Sequence, residues 1–438
     1  MDDPYGEHKD RVQCLENEVQ YWTDFSKVHY HPRSLYELNG SWADVNQFND
    51  YGIGREALSG SIHGEEMNER LRFFVEECDH FQGIQFIVDG SGGFSGVAAN
   101  FLENVVDEYP TTPVLLYDAR GSDSYLNTTN QKKSILRSLH DAVSFAMLSS
   151  FSNLMVPIGF SSLNASKASS FLCIDDAKPF HCSAVYAAAL HSMSLPFRME
   201  LGGPTVDSNY VAGAIDIGEM VHMLADQARQ NTVAILDAAI PAPPLTGEQK
   251  QGSIPGSLHS LTADVAEDVE DNLAVESTVI HGALHSEGGR SCRASISQVK
   301  DSINAAYWSS STRPQFSHLS IALCPLPIPL PFPSIFRNHI GEHGELLGSP
   351  IPGSGPRGSL DISSIPMAAR LRSSSAILPH VQKRSLDLHR FGIDRGAPGV
   401  ELLRSWGFER DDVADMGESM SKMVMALDPH SDISSESD

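Results

Sequence analysis

The chain has 438 residues, with 31 Lys and Arg against 56 Asp and Glu, and a formal net charge of −25. A hydrophobic fraction of 41% supports a sizeable core and excludes a wholly disordered chain. The negative charge argues against binding a nucleic-acid backbone, which needs basic patches.

At ~150 residues per domain the length predicts two or three domains. No uninterrupted apolar run approaches the ~18 residues of a membrane-spanning helix. The opening Met1-Asp2-Asp3-Pro4-Tyr5-Gly6-Glu7 has neither the basic start nor the apolar stretch of a secretory signal. It is also too acidic for a mitochondrial transit peptide. The six cysteines (Cys14, Cys78, Cys173, Cys182, Cys292 and Cys324) include no C-x-x-C pair, which fits reduced thiols acting as small hydrophobes.

Along the chain, Val12, Leu15, Val19, Trp22 and Phe25 recur at three- and four-residue steps and predict one amphipathic helix over 7–27. A second helix is predicted over 64–78, with Met67, Leu71, Phe74 and Val75 inward. Ile84-Gln85-Phe86-Ile87-Val88 reads as a buried strand. Helical spacing returns over 97–108 and is ended by Pro110 and Pro113, which lack the amide donor. Further strands are expected at 114–117, 154–158 and 233–236. Further helices are expected at 135–149, 182–192 and from an Asp216 cap to 228, with 195–201 extended. Strands alternating with helices predict a parallel α/β sheet covered on both faces.

Beyond residue 240 the pattern weakens. Residues 251–289 hold seven acidic residues and no Lys or Arg. The span 241–292 therefore reads as a flexible acidic linker or insertion, its acidic run Asp264–Glu276 being solvated or offered to a basic partner. Folded signal resumes over 295–308 and 318–324. Pro325–Pro333 is polyproline-like and opens a Pro/Gly/Ser-rich loop to 364. Helices are predicted near 376–391 and 411–425, and 431–438 is an acidic tail. No repeat of 20–50 residues is apparent.

The segment Asp89-Gly90-Ser91-Gly92-Gly93-Phe94-Ser95-Gly96 sits between a predicted strand and a predicted helix. Glycines let backbone approach a ligand closely, and a helix start offers free amides and a positive dipole end. Gly90, Ser91, Gly92, Gly93, Ser95 and Gly96 are thus candidate phosphate-cradling residues, although neither a P-loop nor a G-x-G-x-x-G spacing is present. A tight turn without ligand is the plain alternative. A third reading makes Ser95 a hydrolase nucleophile, since Gly93-Phe94-Ser95-Gly96-Val97 is one residue short of G-x-S-x-G; Asp216 with His281 or His285 would complete a triad.

This turn resembles the tubulin/FtsZ glycine signature, GGGTGSG, with Gly90, Gly92, Ser95 and Gly96 matching. The wider chain is similar to the Misato family of tubulin-related proteins. The matching blocks are Val28–Ser34, Phe74–Asp79 with Phe81–Gly83, Gly93–Val97, Asp107–Tyr109, Pro179–Ala184, Leu195–Arg198 and Asp411–Asp415. The resemblance implies an α/β, tubulin/FtsZ-like parallel sheet with helices on both faces over 1–240, incomplete at its amino end. An α+β intermediate-like region and C-terminal helices would follow over 293–430. It implies a non-enzymatic role in mitochondrial organisation, distribution and inheritance, in the cytoplasm or peripheral to the mitochondrial outer membrane. Partners would be proteins of the mitochondrial surface or cytoskeleton. The nucleotide implied for the turn is GTP or GDP. Phe94 stands where the signature has glycine, and no Gly-x-x-Asn-x-Asp hydrolysis loop is found. No GTPase activity and at most weak nucleotide binding are therefore expected, with slow hydrolysis or assembly as the alternative.

Other constellations read as structural. His339-Ile340-Gly341-Glu342-His343 spells H-x-x-E-H, but Gly341 and Gly344 disfavour the helix a zinc site needs. His29 and His31 flank Tyr30 ahead of Pro32. His181-Cys182 opens an alanine-rich helix that predicts a buried thiol. No metal site is expected.

Overall fold

A computed structural model gives the fold. It describes residues 4–19, 24, 29–38, 48–58, 62–121, 131–159, 163, 171–199, 211–227, 231–245, 253–266, 269–287, 290–310, 313–352 and 355–428. The amino-terminal third carries α1 (Pro4–Glu18), α2 (Tyr51–Leu58), α3 (Ile62–Glu76), β1 (Ile84–Asp89), α4 (Gly93–Glu108), β2 (Val114–Ala119) and α5 (Gln131–Ser150). Next come β3 (Leu154–Ile158), α6 (Pro179–Met193), β4 (Val211–Ala212), α7 (Ile217–Asp226) and β5 (Ile235–Ala239). The remainder holds β6 (His259–Ser260), β7 (Val275–His281), β8 (Leu284–Glu287), β9 (Arg290–Arg293), α8 (Ile296–Ser309), β10 (Phe316–Ala322), β11 (Leu326–Pro327), β12 (Ser364–Ile365) and β13 (Met367–Ser373). The chain closes on α9 (Leu378–Leu388), α10 (Val400–Ser405) and α11 (Arg410–Leu427).

β1, β2 and β3 form a parallel sheet in that order. A second sheet runs β4-β10-β7-β13-β5-β6. It is mixed: β10 and β7 are parallel, and β13 is antiparallel to both β7 and β5. The two sheets meet where Met155 bridges Val233, with Ala234 N donating to Met155 O at 2.9 Å. The boundary expected near Ile240 therefore runs through the end of a strand that belongs to both halves.

Helices cover both faces, as the buried strands require. α4, α5, α9 and α11 bury Leu102, Leu139, Val381 and Met420 against Val88, Leu116 and Met155. α6 and α7 pack Ala189, Met193 and Leu224 on Leu236, Val279, Ala369 and Leu371. α8, closed by a Ser295–Gln298 capping box, sets Val299 and Ile303 on Ile280, Ile321 and Ala368. Alternation along β13 explains the split, since Ala369 and Leu371 face one layer while Ala368, Arg370 and Arg372 face the other.

The span 241–292, expected to be a flexible linker, instead supplies β7, whose seven residues are all buried at the centre of the second sheet. Its polar residues hide it: Glu276, Ser277 and Thr278 break the apolar run, yet each is buried. The Pro/Gly/Ser-rich loop packs Ile335, Phe336 and Ile340 into the core. Residues 196–198 form a 3-10 turn rather than an extended stretch. The first predicted helix is seen to Glu18, and Trp22 and Phe25 lie outside the described residues. β1 is half-exposed because only β2 flanks it among the described residues, leaving Ile87 65% exposed.

Charge is also buried in this sheet. Asp237 on β5 is 1% exposed. Its Oδ2 accepts from Arg370 Nε at 2.9 Å, Arg370 Nη2 at 2.7 Å and Arg372 Nε at 2.7 Å. Arg370 Nη1 also reaches Glu276 Oε2 at 3.2 Å. Burial raises the Asp237 pKa, but Arg372 and Arg370 outweigh it and hold the carboxyl below its ordinary value. Asp237→Ala would leave two guanidinia in the sheet without their counter-charge. A loss of ~3–5 kcal/mol is expected, read from urea unfolding.

Two histidines set a pH limit. Burial, then Arg384, lowers His380 to about 3. Burial, then His191 and Arg198, lowers His281 to about 4. The folded state holds both neutral while the unfolded chain protonates near 6.5, so stability is full above pH 6.5 and falls as pH drops toward the folded values. Between pH 7.5 and 5 a loss of ~2 kcal/mol or more is expected in urea titrations, with a shallower loss in His380→Asn.

Candidate functional site

The glycine turn lies at the carboxyl ends of β1 and β2, where open α/β sheets place ligands. α4 begins at Gly93, earlier than the apolar spacing predicts, with Gly92 as its N-cap. The turn is occupied by the chain's own segment 48–58. Gly93 N donates to Phe48 O at 3.0 Å, and the Phe48 ring meets the Phe94 ring edge-on at 4.9 Å between centroids. Ser91 N donates to Asp89 Oδ1 at 2.9 Å, and Ser95 N donates to Gly92 O at 3.1 Å. Three amides that a phosphate would need are thus engaged inside the protein.

The glycines serve close packing. A Cβ on Gly54 of α2 would overlap the Gly93 carbonyl, and one on Gly96 of α4 would overlap the Tyr51 carbonyl. Their missing side chains let α2 and α4 touch backbone to backbone. Gly90 leaves room for the Asp118 carboxylate, which a Cβ there would strike. Asp118 in turn pairs with Arg120 at 3.3 Å, and Arg120 also binds Asp141. Burial raises the Asp141 pKa, but Arg120, His140 and Arg384 hold the carboxyl far below its usual range.

Ser95 is fully buried. Its Oγ donates to Gly92 O at 2.8 Å and accepts from Ser144 Oγ at 2.9 Å. His140 Nε2 lies 3.3 Å from Ser95 Oγ and 3.2 Å from Gly92 O. These partners differ from those of the triad reading: Asp216 caps α7 through Glu219 N at 2.7 Å, His281 ends β7, and His285 lies on β8. A nucleophile needs substrate within reach of its oxygen, and this hydroxyl faces the interior.

His339–His343 lies in a turn closed by an Ile340–Leu346 bridge, so its histidines share no helical face. Among the described residues no group of three His, Cys, Asp or Glu is placed to hold a metal. Cys182 is buried, and all six cysteines are free thiols.

The Tubulin domain family model matches residues 12–199. Protein misato homolog 1 of Bos taurus is 25% identical over 445 residues, covering 95% of this chain and 72% of that protein. Protein misato homolog 1 of Homo sapiens is 26% identical over 440 residues, covering 93% and 70%. The chain is similar to the misato proteins over nearly its whole length. Protein DML1 of Gibberella zeae is 31% identical over 212 residues, covering 47% of this chain and 40% of that protein. The chain has the α/β, tubulin-like fold its glycine signature suggests.

The sequence reading missed α2 and the residues before it. Tyr51-Gly52-Ile53-Gly54 signals a weak helix, since glycine costs about 1 kcal/mol against alanine. The decisive pairing of Gly54 with Gly96 is tertiary. Gly54→Val is expected to cost ~3 kcal/mol or more by forcing α2 off α4. Gly64→Ala, at a buried α3 position with nothing within 4 Å of its missing Cβ, is expected to stabilise by ~0.5–1 kcal/mol. Paired urea melts of the two variants check this contrast.

Proposed function

We propose that this chain is a non-enzymatic, tubulin-related factor in mitochondrial organisation, distribution and inheritance. Its similarity to the misato proteins supports the cellular role. The observation that carries the non-enzymatic part is the filled glycine turn, where Phe48 and α2 occupy the approach a nucleotide would need. The buried Ser95 supports the same reading against a hydrolase.

The protein would act in the cytoplasm and peripherally at the mitochondrial outer membrane, through protein partners of that surface or of the cytoskeleton. Among the described residues no helix is long and apolar enough to cross a membrane. The charge of −25 favours protein partners over nucleic acid.

Binding of GTP or GDP at Gly90–Gly96 is the second reading. Its support is the position of the turn at the carboxyl ends of parallel strands. It requires the 48–58 segment to swing away from α4.

Three measurements separate the readings. Depletion in the cells that make the protein is expected to disturb the mitochondrial network, with recovery on re-expression; an unchanged network overturns the proposed role. Equilibrium binding of labelled GTP to the full chain is expected to be weaker than ~1 mM. Tighter, saturable binding would instead support the nucleotide reading. A fluorophosphonate probe is expected to leave Ser95 unlabelled.

A further inference from the structure

A cavity of about 420 Å³ lies on the α8 face of the second sheet, toward the amino ends of β5, β7 and β10. It lies at the opposite end of the strands from the glycine turn, since β5 and β7 run in the same direction as β3. Its walls include Asp237, Glu276, Arg370, Arg372, Asp271 and Arg313. Buried ion pairs seldom stabilise more than apolar residues of equal volume would. A sheet face that carries them is therefore a candidate for binding.

The hydrogen-bond inventory shows which chemistry is unmatched. The carboxylates are engaged. Asp237 Oδ2 takes three guanidinium bonds. Glu276 Oε1 accepts from Tyr307 and from Ser317 Oγ at 3.2 Å, and Oε2 accepts from Arg370. Asp271 Oδ2 accepts from Ser374 Oγ at 3.1 Å, Ser375 N at 2.7 Å and Ser375 Oγ at 3.0 Å, while Oδ1 accepts from Leu273 N.

The cations are less committed. Arg372 places Nε and Nη2 on Asp237, and its Nη1 has no protein acceptor among the described residues. Arg313 makes no ion pair among the described residues; its guanidinium lies 4.2 Å from the centroid of the Trp308 ring. That ring is 74% exposed and holds the guanidinium in place by cation–π attraction. The cavity is left with spare N–H donors on cations and carboxylates already satisfied.

We propose that this cavity binds a small molecule bearing a phosphomonoester group, with Arg313 and Arg372 donating to its oxygens. Guanidinium forks match phosphate geometry, and two of them offer more donors than one carboxylate can accept. The volume limits the ligand to metabolite size.

Isothermal titration of the full chain with inorganic phosphate, ribose 5-phosphate, ribose and succinate tests this. Inorganic phosphate and ribose 5-phosphate are expected to bind, and ribose and succinate to bind at least ~10-fold more weakly, about 1.4 kcal/mol. Arg313→Gln removes a guanidinium whose only described contact is the exposed indole, so its melting temperature should match the wild type. It is expected to weaken ribose 5-phosphate by ~10-fold, while Arg337→Gln, outside this cavity, changes nothing. No binding of either phosphate at ~10 mM overturns the proposal, as does equal binding by succinate or an unchanged affinity in Arg313→Gln.

Discussion

Much of this fold depends on one carboxylate oxygen. Asp237 Oδ2 receives hydrogen bonds from two arginines on the neighbouring strand, and one of these reaches on to Glu276 on the strand beyond. The contact ties β5, β13 and β7 together, although they are separated in sequence by dozens of residues. Strand register is otherwise set by apolar alternation, which tolerates a two-residue slip on a long apolar face. A buried ion network does not. Any slip of β13 on β5 would carry Arg370 off Asp237 and strand charge in the interior. The network therefore selects the observed pairing of Arg370 with Asp237 and Leu371 with Leu236. It also explains why the halves on either side of Ile240 form one body, with β5 joined to β3 through Val233 and to the late strand β13 directly.

The glycine turn shows how one sequence signature can serve two physical ends. Lack of a side chain allows close approach, and the approaching group can be a phosphate or another backbone. Here it is α2. Gly54 and Gly93 meet across the helix pair, and Gly96 lies against the Tyr51 carbonyl. The Phe94 side chain, where a phosphate loop would have glycine, meets Phe48 edge-on and holds that segment over the turn. The Tyr51 ring is itself buried beside Trp406 and Phe408, so the carboxyl-terminal helices brace the segment from behind. The same glycines that suggested a cradle thus fit the loop that fills it.

What could be read from the sequence follows from how local each signal is. α11 was legible because its apolar spacing lies within one window, whereas 295–308 read only as folded and its Ser295–Gln298 capping box emerged with the structure. β3 was legible as five consecutive buried residues between turns. β7 was not, because it buries Glu276, Ser277 and Thr278, and a polar, lysine-free stretch reads as solvent-exposed until its partners are known. Those partners, Arg370, Tyr307, Ser317 and His318, all lie more than 30 positions away or on other elements. α2 failed for a related reason, since two glycines in eight residues lower helix propensity and only the tertiary contact with α4 restores it. Of the site residues, the sequence located the turn itself but not what covers it.

The distribution of charge completes this picture. The chain is strongly acidic, yet its interior holds matched sets: Asp118, Arg120, Asp141 and Arg384 behind the glycine turn, and Asp237, Arg370, Arg372 and Glu276 on the α8 face. Each set lies at one end of the parallel strands. The first is buried behind the turn, with Asp118 filling the space that Gly90 leaves open. The second opens on a cavity and keeps guanidinium donors in reserve. In an open α/β sheet the carboxyl ends of the strands are the usual ligand crevice. Closing that crevice with the chain's own helix leaves the opposite end as the place where buried charge still meets solvent.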